Sequence, residues 1–322
     1  MLLSLFPSEV ISYILEFSPQ STIDLLHTGD KLLRCKMKYR SSADISTKEH
    51  LDQLIKAKFP LVYLKASFCP PIESILLLSS LQTLNLSGNK LTSVSSELGS
   101  LSSLKALDLK HNNLNSIPSE LGSLSSLETL DLRCNKLTSV PSELGSLSSL
   151  KQLNLSHNEL KFIPSELGSL SSLECLYVEY NNLMSIPSEL GSLSSLQILD
   201  LTHNKLTVVP AELRLLSSLK QLRLSYNELR LFPPVLCSIS SLKNLNLSNN
   251  LLTSIPSELG LLSSLESLDL SNNELNSIPS ELGSLSSLQS LNLCFNKLTS
   301  IPSHLSCISS LRVYLFGNKF TS

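Results

Sequence analysis

The 322-residue sequence has no tryptophan, only 5% aromatic residues and no excess of charge, because 27 acidic residues nearly balance 25 basic ones. A near-neutral chain has no broad electrostatic field to attract nucleic acid or an anionic membrane. The sequence also contains no apolar run of about 18 residues, the length that a membrane-spanning helix needs. These absences predict neither a nucleic-acid partner nor a membrane span.

The seven cysteines are scattered along the chain, odd in number and without any CxxC pair. Disulfide frameworks use an even number of cysteines, and zinc sites use clustered ones. The N-terminal stretch MLLSLFPSEVISYILEF is apolar but lacks a basic leader and a small-residue cleavage site, so we do not expect a signal peptide. Together these features predict an intracellular, cytoplasmic protein.

The sequence does contain one motif that is repeated at a fixed period. Asparagines recur 23 residues apart in ten consecutive copies, without a slip. A fixed internal period of this length is the mark of a repeat architecture. We expect these residues to form a structural ladder: Asn89, Asn112, Asn135, Asn158, Asn181, Asn204, Asn227, Asn250, Asn273 and Asn296.

Each copy combines two kinds of apolar spacing. The stretch LKALDL alternates apolar and polar residues as a strand does, whereas IPSELGSLSSL spaces its leucines by three and four, as a short helix or 3₁₀ turn does. One copy therefore predicts a strand, a turn and a return segment. A single copy buries too little apolar surface to fold alone, so stability must come from stacking.

The pattern LxxLxLxxNxLxxIPxEL resembles the leucine-rich repeat family, in particular its intracellular Ras-group type. The resemblance implies an α/β solenoid, a curved horseshoe whose parallel strands line the concave face. The repeat region spans 61–322, with ten full repeats and degenerate repeats at both ends. Pairing of two chains through the C-terminal edge strand stays an open alternative.

Residues 1–60 do not repeat and predict a small helical segment. LFPSEVISYIL resembles the opening of an F-box, although Phe6 is inserted and the usual tryptophan is missing. The resemblance implies that residues 1–40 dock onto the adaptor subunit of a cullin-RING ubiquitin ligase. The docking residues would be Leu5, Pro7, Glu9, Ile14 and Leu15. The alternative is a helical cap that covers the leucines of the first repeat.

The ten copies differ mainly at strand and turn positions, whereas SELGSLSSL is almost constant. The middle copies carry tyrosine and arginine, the residue types that most often anchor protein interfaces. We expect a partner protein to bind the concave face there, unless these residues are neutral filler. The candidate residues are His157, Tyr177, Glu179, Tyr180, His203, Arg223 and Tyr226.

Catalytic and metal-binding patterns are missing. There is no phosphate-binding glycine loop, no GxSxG and no HExxH, and we expect no enzyme activity and no cofactor. His111, His157 and His203 recur in every second copy, about 9 to 10 Å apart at strand spacing. Zinc needs ligand nitrogens about 2 Å from the metal, so we expect no metal site.

The sequence therefore predicts a protein-binding scaffold without chemistry of its own. One hypothesis is a substrate receptor of a ubiquitin ligase, with the F-box-like segment docking the ligase and the concave face selecting the target. The alternative is an intracellular signalling scaffold that binds a small GTPase or a phosphatase. A cell-surface recognition protein is a third hypothesis, which the missing signal peptide disfavours.

Overall fold

The computed structural model describes residues 42–45, 48, 52, 61–66, 72–78, 80–301, 303, 305, 308 and 311–320. Its main feature is one open sheet of thirteen parallel strands that follow one another in chain order. The F-box-like residues and nearly all of the predicted N-terminal helical segment lie outside the described residues. The strands are β1 Ser42–Ile45, β2 Tyr63–Ala66, β3 Thr83–Asn85, β4 Ala106–Asp108, β5 Thr129–Asp131, β6 Gln152–Asn154, β7 Cys175–Tyr177, β8 Ile198–Asp200, β9 Gln221–Arg223, β10 Asn244–Asn246, β11 Ser267–Asp269, β12 Ser290–Asn292 and β13 Arg312–Tyr314.

From β3 to β12, residues that pair across adjacent strands are one sequence period apart. Leu107 of β4 pairs with Leu130 of β5, and Asp108 pairs with Asp131, so equivalent residues of successive copies lie side by side. The central residue of each of these strands is a buried leucine, and the residues on either side of it face the concave surface. The predicted α/β solenoid with a parallel concave sheet is confirmed.

Short 3₁₀ helices form the opposite, convex side. Most begin after a proline in extended conformation, such as Pro164 with φ −65°, since the fixed φ of proline suits a helix start. A short α-helix, α1 Ile72–Leu76, precedes them. The 3₁₀ helices are η1 Ser96–Ser100, η2 Ser119–Ser123, η3 Ser142–Ser146, η4 Ser165–Ser169, η5 Ser188–Ser192, η6 Ala211–Leu215, η7 Pro234–Ser238, η8 Ser257–Leu261 and η9 Ser280–Ser284.

A single apolar core runs through the array between these two sides. It extends from Leu61 to Leu305, and most of its leucines have no exposed surface. The side chains of neighbouring copies interlock in this core, so each copy is covered by the next.

The asparagines form a hydrogen-bonded column along the core. The Asn158 side-chain amide donates to the carbonyl oxygens of Leu132, Leu155 and Ser156 at 3.1, 3.0 and 3.2 Å. Its Oδ1 accepts a 3.0 Å hydrogen bond from the backbone N–H of Leu137. One side chain therefore satisfies the backbone of its own copy and of the preceding copy, as buried polar groups require.

Candidate functional site

The centre of the concave face carries a tyrosine, a carboxylate and an arginine on three adjacent strands. Tyr177 of β7 pairs in register with Asp200 of β8, which pairs with Arg223 of β9. Arg223 Nη1 donates to Asp200 Oδ2 at 2.9 Å, and the carboxylate side chain is only 8% exposed. Because Asp200 neutralises part of the guanidinium, Arg223 is held in position with half of its surface open to a partner.

Asp200 is a member of this site that the sequence reasoning left out. The signal was present, because Arg223 follows Asp200 by one 23-residue period. Residues one period apart are neighbours across a parallel pair of strands, so a charge pair at this spacing predicts a contact.

Tyr177 keeps its phenol proton at neutral pH. Burial raises its pKa above the ordinary value, and nearby Cys175 and Glu179 raise the pKa further, while Arg223 lowers it. A neutral phenol both donates and accepts hydrogen bonds. Tyr177 therefore presents a ring with a polar tip, the combination that is common at protein interfaces.

Glu179 lies two residues beyond Tyr177, where the strand gives way to the turn. Its Oε2 atom is buried and has no hydrogen-bond partner. A buried acceptor without a donor costs free energy, so a donor supplied by a bound partner would stabilise this side chain. In the next copies the same column holds Thr202 and Ser225, whose hydroxyls lie 3.2 Å apart.

The other four candidates lie just past the strands, in the turn before each ladder asparagine. Each has a left-handed backbone, with φ of 52° at His157, 55° at Tyr180, 53° at His203 and 54° at Tyr226. Such values are uncommon for residues other than glycine. The same conformation recurs at this position in successive copies, because the turn is held in the same way each time.

The left-handed turn aligns these four side chains into a stack of rings. The ring centroids lie 4.2 Å apart for His157 and Tyr180, 4.2 Å for Tyr180 and His203, and 3.9 Å for His203 and Tyr226. The planes are within 10 to 15° of parallel. We call His157, Tyr180, His203 and Tyr226 the ring ladder, and with Tyr177, Glu179, Asp200 and Arg223 it forms the central concave patch.

The ring ladder also separates the histidines from each other. The Tyr180 ring lies between His157 and His203, so the two imidazoles do not converge on a common point. Among the described residues, no three histidine, cysteine or acidic side chains come together as metal ligands would. In the same part of the chain, no helix has both the length and the apolar character to cross a membrane.

Burial is the main cause of a raised pKa at two groups outside the central concave patch. Burial raises the pKa of the Cys237 thiol to about 11, which keeps it protonated and a poor nucleophile. Burial also raises the pKa of Asp131, although the neighbouring Arg133 opposes this effect.

Comparisons with known families agree with this geometry. A family profile described as "Leucine-rich repeat region" matches residues 64–182. A second profile, "Leucine rich repeat", matches residues 172–229, 240–298 and 263–320. None of the curated proteins matches the chain.

Many solved structures share the fold. A leucine-rich repeat protein of Leptospira interrogans is 29% identical with a TM-score of 0.50, and the match covers 87% of this chain and 85% of that chain. The internalin InlF of Listeria monocytogenes is 25% identical with a TM-score of 0.66, and the match covers 89% and 88%.

The ectodomain of the receptor kinase GASSHO1/SCHENGEN3 from Arabidopsis thaliana, solved with CASPARIAN STRIP INTEGRITY FACTOR 2, is 30% identical with a TM-score of 0.53. That match covers 86% of this chain. The chain spans only 40% of that ectodomain.

Proposed function

The chain is a leucine-rich repeat protein, and we propose that it is a non-enzymatic scaffold that binds a partner protein at the central concave patch. Leucine-rich repeat folds generally mediate protein–protein interactions. The proposal places the partner against the strands and turns between β6 and β9, where the repeats depart most from their own consensus.

The difference between the copies is the observation that carries this proposal. The strand column has asparagine or aspartate in most copies, but Tyr177 and Arg223 in the middle. The turn column has asparagine in later copies, but His157, Tyr180, His203 and Tyr226 in the middle. Tyrosine and arginine supply most of the binding energy in many interfaces. The copies that keep the consensus residues hold the variable middle copies in position.

The ring ladder gives the patch a defined hydrogen-bonding edge. Because the rings cover one another's faces, they present their edges, which carry imidazole nitrogens and phenol hydroxyls. Each stacked pair contributes about 0.5 to 1.5 kcal/mol beyond burial, so the rings are held before the partner arrives. A surface that is ordered in advance loses less entropy on binding.

Substitutions that copy the array's own consensus test the proposal. Tyr177→Asn, Tyr180→Asn and Arg223→Asn install the residue that other copies carry in the same columns. Asn292 donates to Asp269 at 3.2 Å, so asparagine in place of Arg223 keeps a donor for Asp200. The triple variant should capture at least tenfold less partner in a quantitative pull-down. It should still unfold in one cooperative transition, at a melting temperature lowered by the loss of two stacked ring pairs.

A control variant carries two comparable substitutions at the C-terminal end of the solenoid. Tyr314→Asn alters the strand column in β13, and Phe316→Ser alters the column of Glu179, two residues further along the chain. These changes should leave partner capture intact. Equal capture by the central variant and the wild type would contradict the proposal.

The N-terminal motif favours a ubiquitin-ligase substrate receptor as the cellular role. LFPSEVISYIL matches the F-box opening at Leu5, Pro7, Glu9, Ile14 and Leu15. In this role residues 1–40 hold the ligase adaptor while the central concave patch holds the target. A pull-down of purified adaptor with the full chain and with a chain that lacks residues 1–45 tests it. Failure of the full chain to bind the adaptor would exclude the role.

The 23-residue IPSEL form of the repeat favours an intracellular signalling scaffold as the alternative. In this role the partner is a small GTPase or a phosphatase, and the N-terminal segment only covers the first repeat. Partner capture would then survive removal of residues 1–45, provided that the shortened chain keeps its melting transition.

Similarity to the GASSHO1/SCHENGEN3 ectodomain supports a third role, recognition at the cell surface. Against it, Cys134, Cys175, Cys237 and Cys294 are free thiols, which suits a reducing compartment. The N-L-S sequons at Asn85, Asn154 and Asn246 supply the test. A mass shift on glycosidase treatment of the cell-derived protein would favour the surface role, and unmodified sequons would favour the intracellular ones.

A further inference from the structure

A second unusual surface lies on the flank of the solenoid, in the segment between each ladder asparagine and the following proline. Its residues are Phe162, Met184, Val208 and Leu231, one from each of four consecutive copies. Their side chains are 57, 69, 63 and 75% exposed. We call these four residues the flank stripe.

The flank stripe departs from the rest of the array. At the same two positions the other copies carry only serine, threonine or asparagine, such as Asn115 and Ser116 or Thr138 and Ser139. Single exposed apolar residues are ordinary on a protein surface. These four lie in consecutive copies, with Met184 one position earlier in its copy than the other three. Exposed apolar residues grouped in this way mark an interaction site.

The flank stripe is not needed by the fold. The core is filled instead by Ile163 and Phe232, which follow Phe162 and Leu231, and by Ile186, which lies two residues after Met184. The copies that carry serine at the position of Phe162 have the same fold, so the apolar side chains contribute nothing that the array requires.

From these observations we infer that the flank stripe docks an amphipathic α-helix of a partner protein, lying along the axis of the solenoid. This surface is separate from the central concave patch and goes beyond the function proposed above. The occupant follows from spacing and from charge.

Spacing favours a helix over an extended chain. Neighbouring strands lie about 4.8 Å apart, and in a curved solenoid the copies are more widely spaced on the flank than on the concave face. An α-helix rises about 5.4 Å per turn. It therefore brings one side chain per turn opposite each copy, through positions i, i+4, i+7 and i+11. An extended chain repeats its side chains on one face about every 6.6 Å and loses register after two copies.

Charge defines the ends of the partner helix. Lys161 precedes Phe162 at one end of the flank stripe, and Arg230 precedes Leu231 at the other end, both exposed. Acidic residues beside the first and the last apolar residue of a helix would meet these two cations. Such a helix is amphipathic, with an apolar ridge of four residues between acidic ends.

The same charges disfavour a lipid surface. Glu159 and Glu228 are exposed two residues before Lys161 and Arg230, and residues 158–242, which contain the whole flank stripe, carry eight acidic residues against six basic ones. Attraction of a protein to anionic headgroups requires an excess of basic residues, and this region has none.

A displayed library of helical peptides tests the inference directly. The probe is a set of 18-residue, alanine-rich peptides with randomised surface positions, selected on the wild-type protein. Peptides of about this length form helices in water when rich in alanine. Selected sequences should carry apolar residues at i, i+4, i+7 and i+11 with acidic neighbours at both ends. Their affinity is measured by fluorescence anisotropy.

The matched variant restores the consensus of the array, with Phe162→Ser, Met184→Thr, Val208→Ser and Leu231→Ser. It should bind the selected peptide at least tenfold more weakly than the wild type does. The control variant, Leu215→Ser with Leu261→Ser, removes two exposed leucines from the convex side, where other copies have serine. The control variant and the Tyr177→Asn, Tyr180→Asn, Arg223→Asn variant should bind as the wild type does.

Three results would overturn the inference. The first is equal binding of selected peptides by the wild type and the stripe variant, or selection of extended sequences with alternating apolar residues. The second is binding to phosphatidylcholine–phosphatidylserine vesicles that the stripe variant loses, which would make the surface a membrane contact. The third is a dimer in sedimentation that the stripe variant abolishes, which would make the occupant a second copy. All three leave the result at the central concave patch unchanged, so the two proposals fail independently.

Discussion

A single asparagine in each copy connects the backbone of two neighbouring copies. Three carbonyl oxygens and one backbone N–H converge on the Asn158 side chain, in a position that is only 7% exposed. No other side chain of this size offers two donors and an acceptor in one plane, since aspartate has the same shape but lacks the donors. The residue is thus selected by hydrogen bonding rather than by packing.

Replacing Asn158 with leucine, Asn158→Leu, should lower the free energy of unfolding by about 3 kcal/mol. The substitution keeps the branched shape but leaves the Leu137 N–H without a partner, and an unsatisfied buried group costs about 1 to 3 kcal/mol. Each of the three carbonyl oxygens also loses one hydrogen bond, although each still accepts one, from Asn135, Asn181 or Cys134. Urea unfolding followed by circular dichroism measures the change. Glu159→Ala, a substitution of the exposed neighbouring residue, serves as the control and should change the free energy of unfolding little. An Asn158→Leu protein as stable as the wild type would contradict this role.

Asp131 should make the protein slightly less stable as the pH rises. Burial raises its folded-state pKa above the ordinary value of 3.8, so the folded protein holds the proton more tightly than the unfolded chain. Stability is therefore highest below the unfolded pKa and falls as pH rises through the folded pKa. Asp131→Asn, the residue of the equivalent position 154, should raise the melting temperature at pH 7.

The gain from Asp131→Asn should disappear below about pH 3.8, where the aspartate is protonated in both states. Melting curves at pH 3 and pH 7 compare the two proteins. The Arg133 side chain, 3.2 Å from the carboxylate, works in the opposite direction. A lower melting temperature of the variant at pH 7 would mean that this ion pair outweighs the burial of the charge.

At the scale of single residues, the sequence predicted which residues form the site better than it predicted their conformations. The asparagine period was visible without a structure, and so was the cluster of His157, Tyr180, His203 and Tyr226 in the middle copies. Their stacking was not, because it depends on a left-handed φ near 54° that no local sequence signal demands of tyrosine or histidine. The turn is imposed by neighbouring copies, so only the assembled array reveals the ring ladder.

At the scale of elements, glycine determines how closely the 3₁₀ helices stack. A Cβ atom on Gly168 of η4 would lie 2.3 Å from the backbone oxygen of Glu189 in η5. Two backbones meet at this point with no room for a side chain. Arg214 and Cys237 replace this glycine in η6 and η7, and there the 3₁₀ helices contact each other less than elsewhere in the row.

The Gly168→Ala substitution should lower the free energy of unfolding by about 1 to 3 kcal/mol, the usual cost of overpacking. The neighbouring η5 backbone would have to shift to admit the methyl group. Urea unfolding measures the cost, and Gly88→Asn provides the control. Gly88 has φ of 72° and open space around its Cβ position, and asparagine tolerates that conformation. Equal stability of the Gly168→Ala protein and the wild type would show that adjacent 3₁₀ helices can move apart without a loss of stability.

The sequence predicted the elements in kind but not in detail. The alternation in LKALDL indicated strands, and they are present, although β3 to β13 each span only three residues. IPSELGSLSSL left a helix and a 3₁₀ turn as alternatives, and the 3₁₀ form is found in each of the nine described return segments. The glycine contact does not decide between them, because η6 and η7 keep the 3₁₀ form with Arg214 and Cys237 in place of glycine.

At the scale of the whole molecule, the array separates stability from recognition. The leucine core and the asparagine column are nearly the same in every copy, whereas the central concave patch and the flank stripe occupy the same middle copies. Uniform stacking predicted the register of β3 to β12, because a fixed 23-residue period allows only one register. It did not predict β1, which lies in the segment that was expected to be helical. The partner was beyond prediction, since a surface specifies complementary chemistry and not the identity of the molecule that carries it.

Hydroxyl-radical footprinting of the complex tests the proposed binding site most directly. Tyr180 and Tyr226 of the ring ladder are 45 and 48% exposed, and Tyr314 near the C-terminal end is 48% exposed, so all three should react to a similar extent in the free protein. With the captured partner bound, we expect Tyr180 and Tyr226 to lose most of their oxidation while Tyr314 keeps its own. Protection of Tyr314 with unchanged oxidation of Tyr180 and Tyr226 would contradict the account.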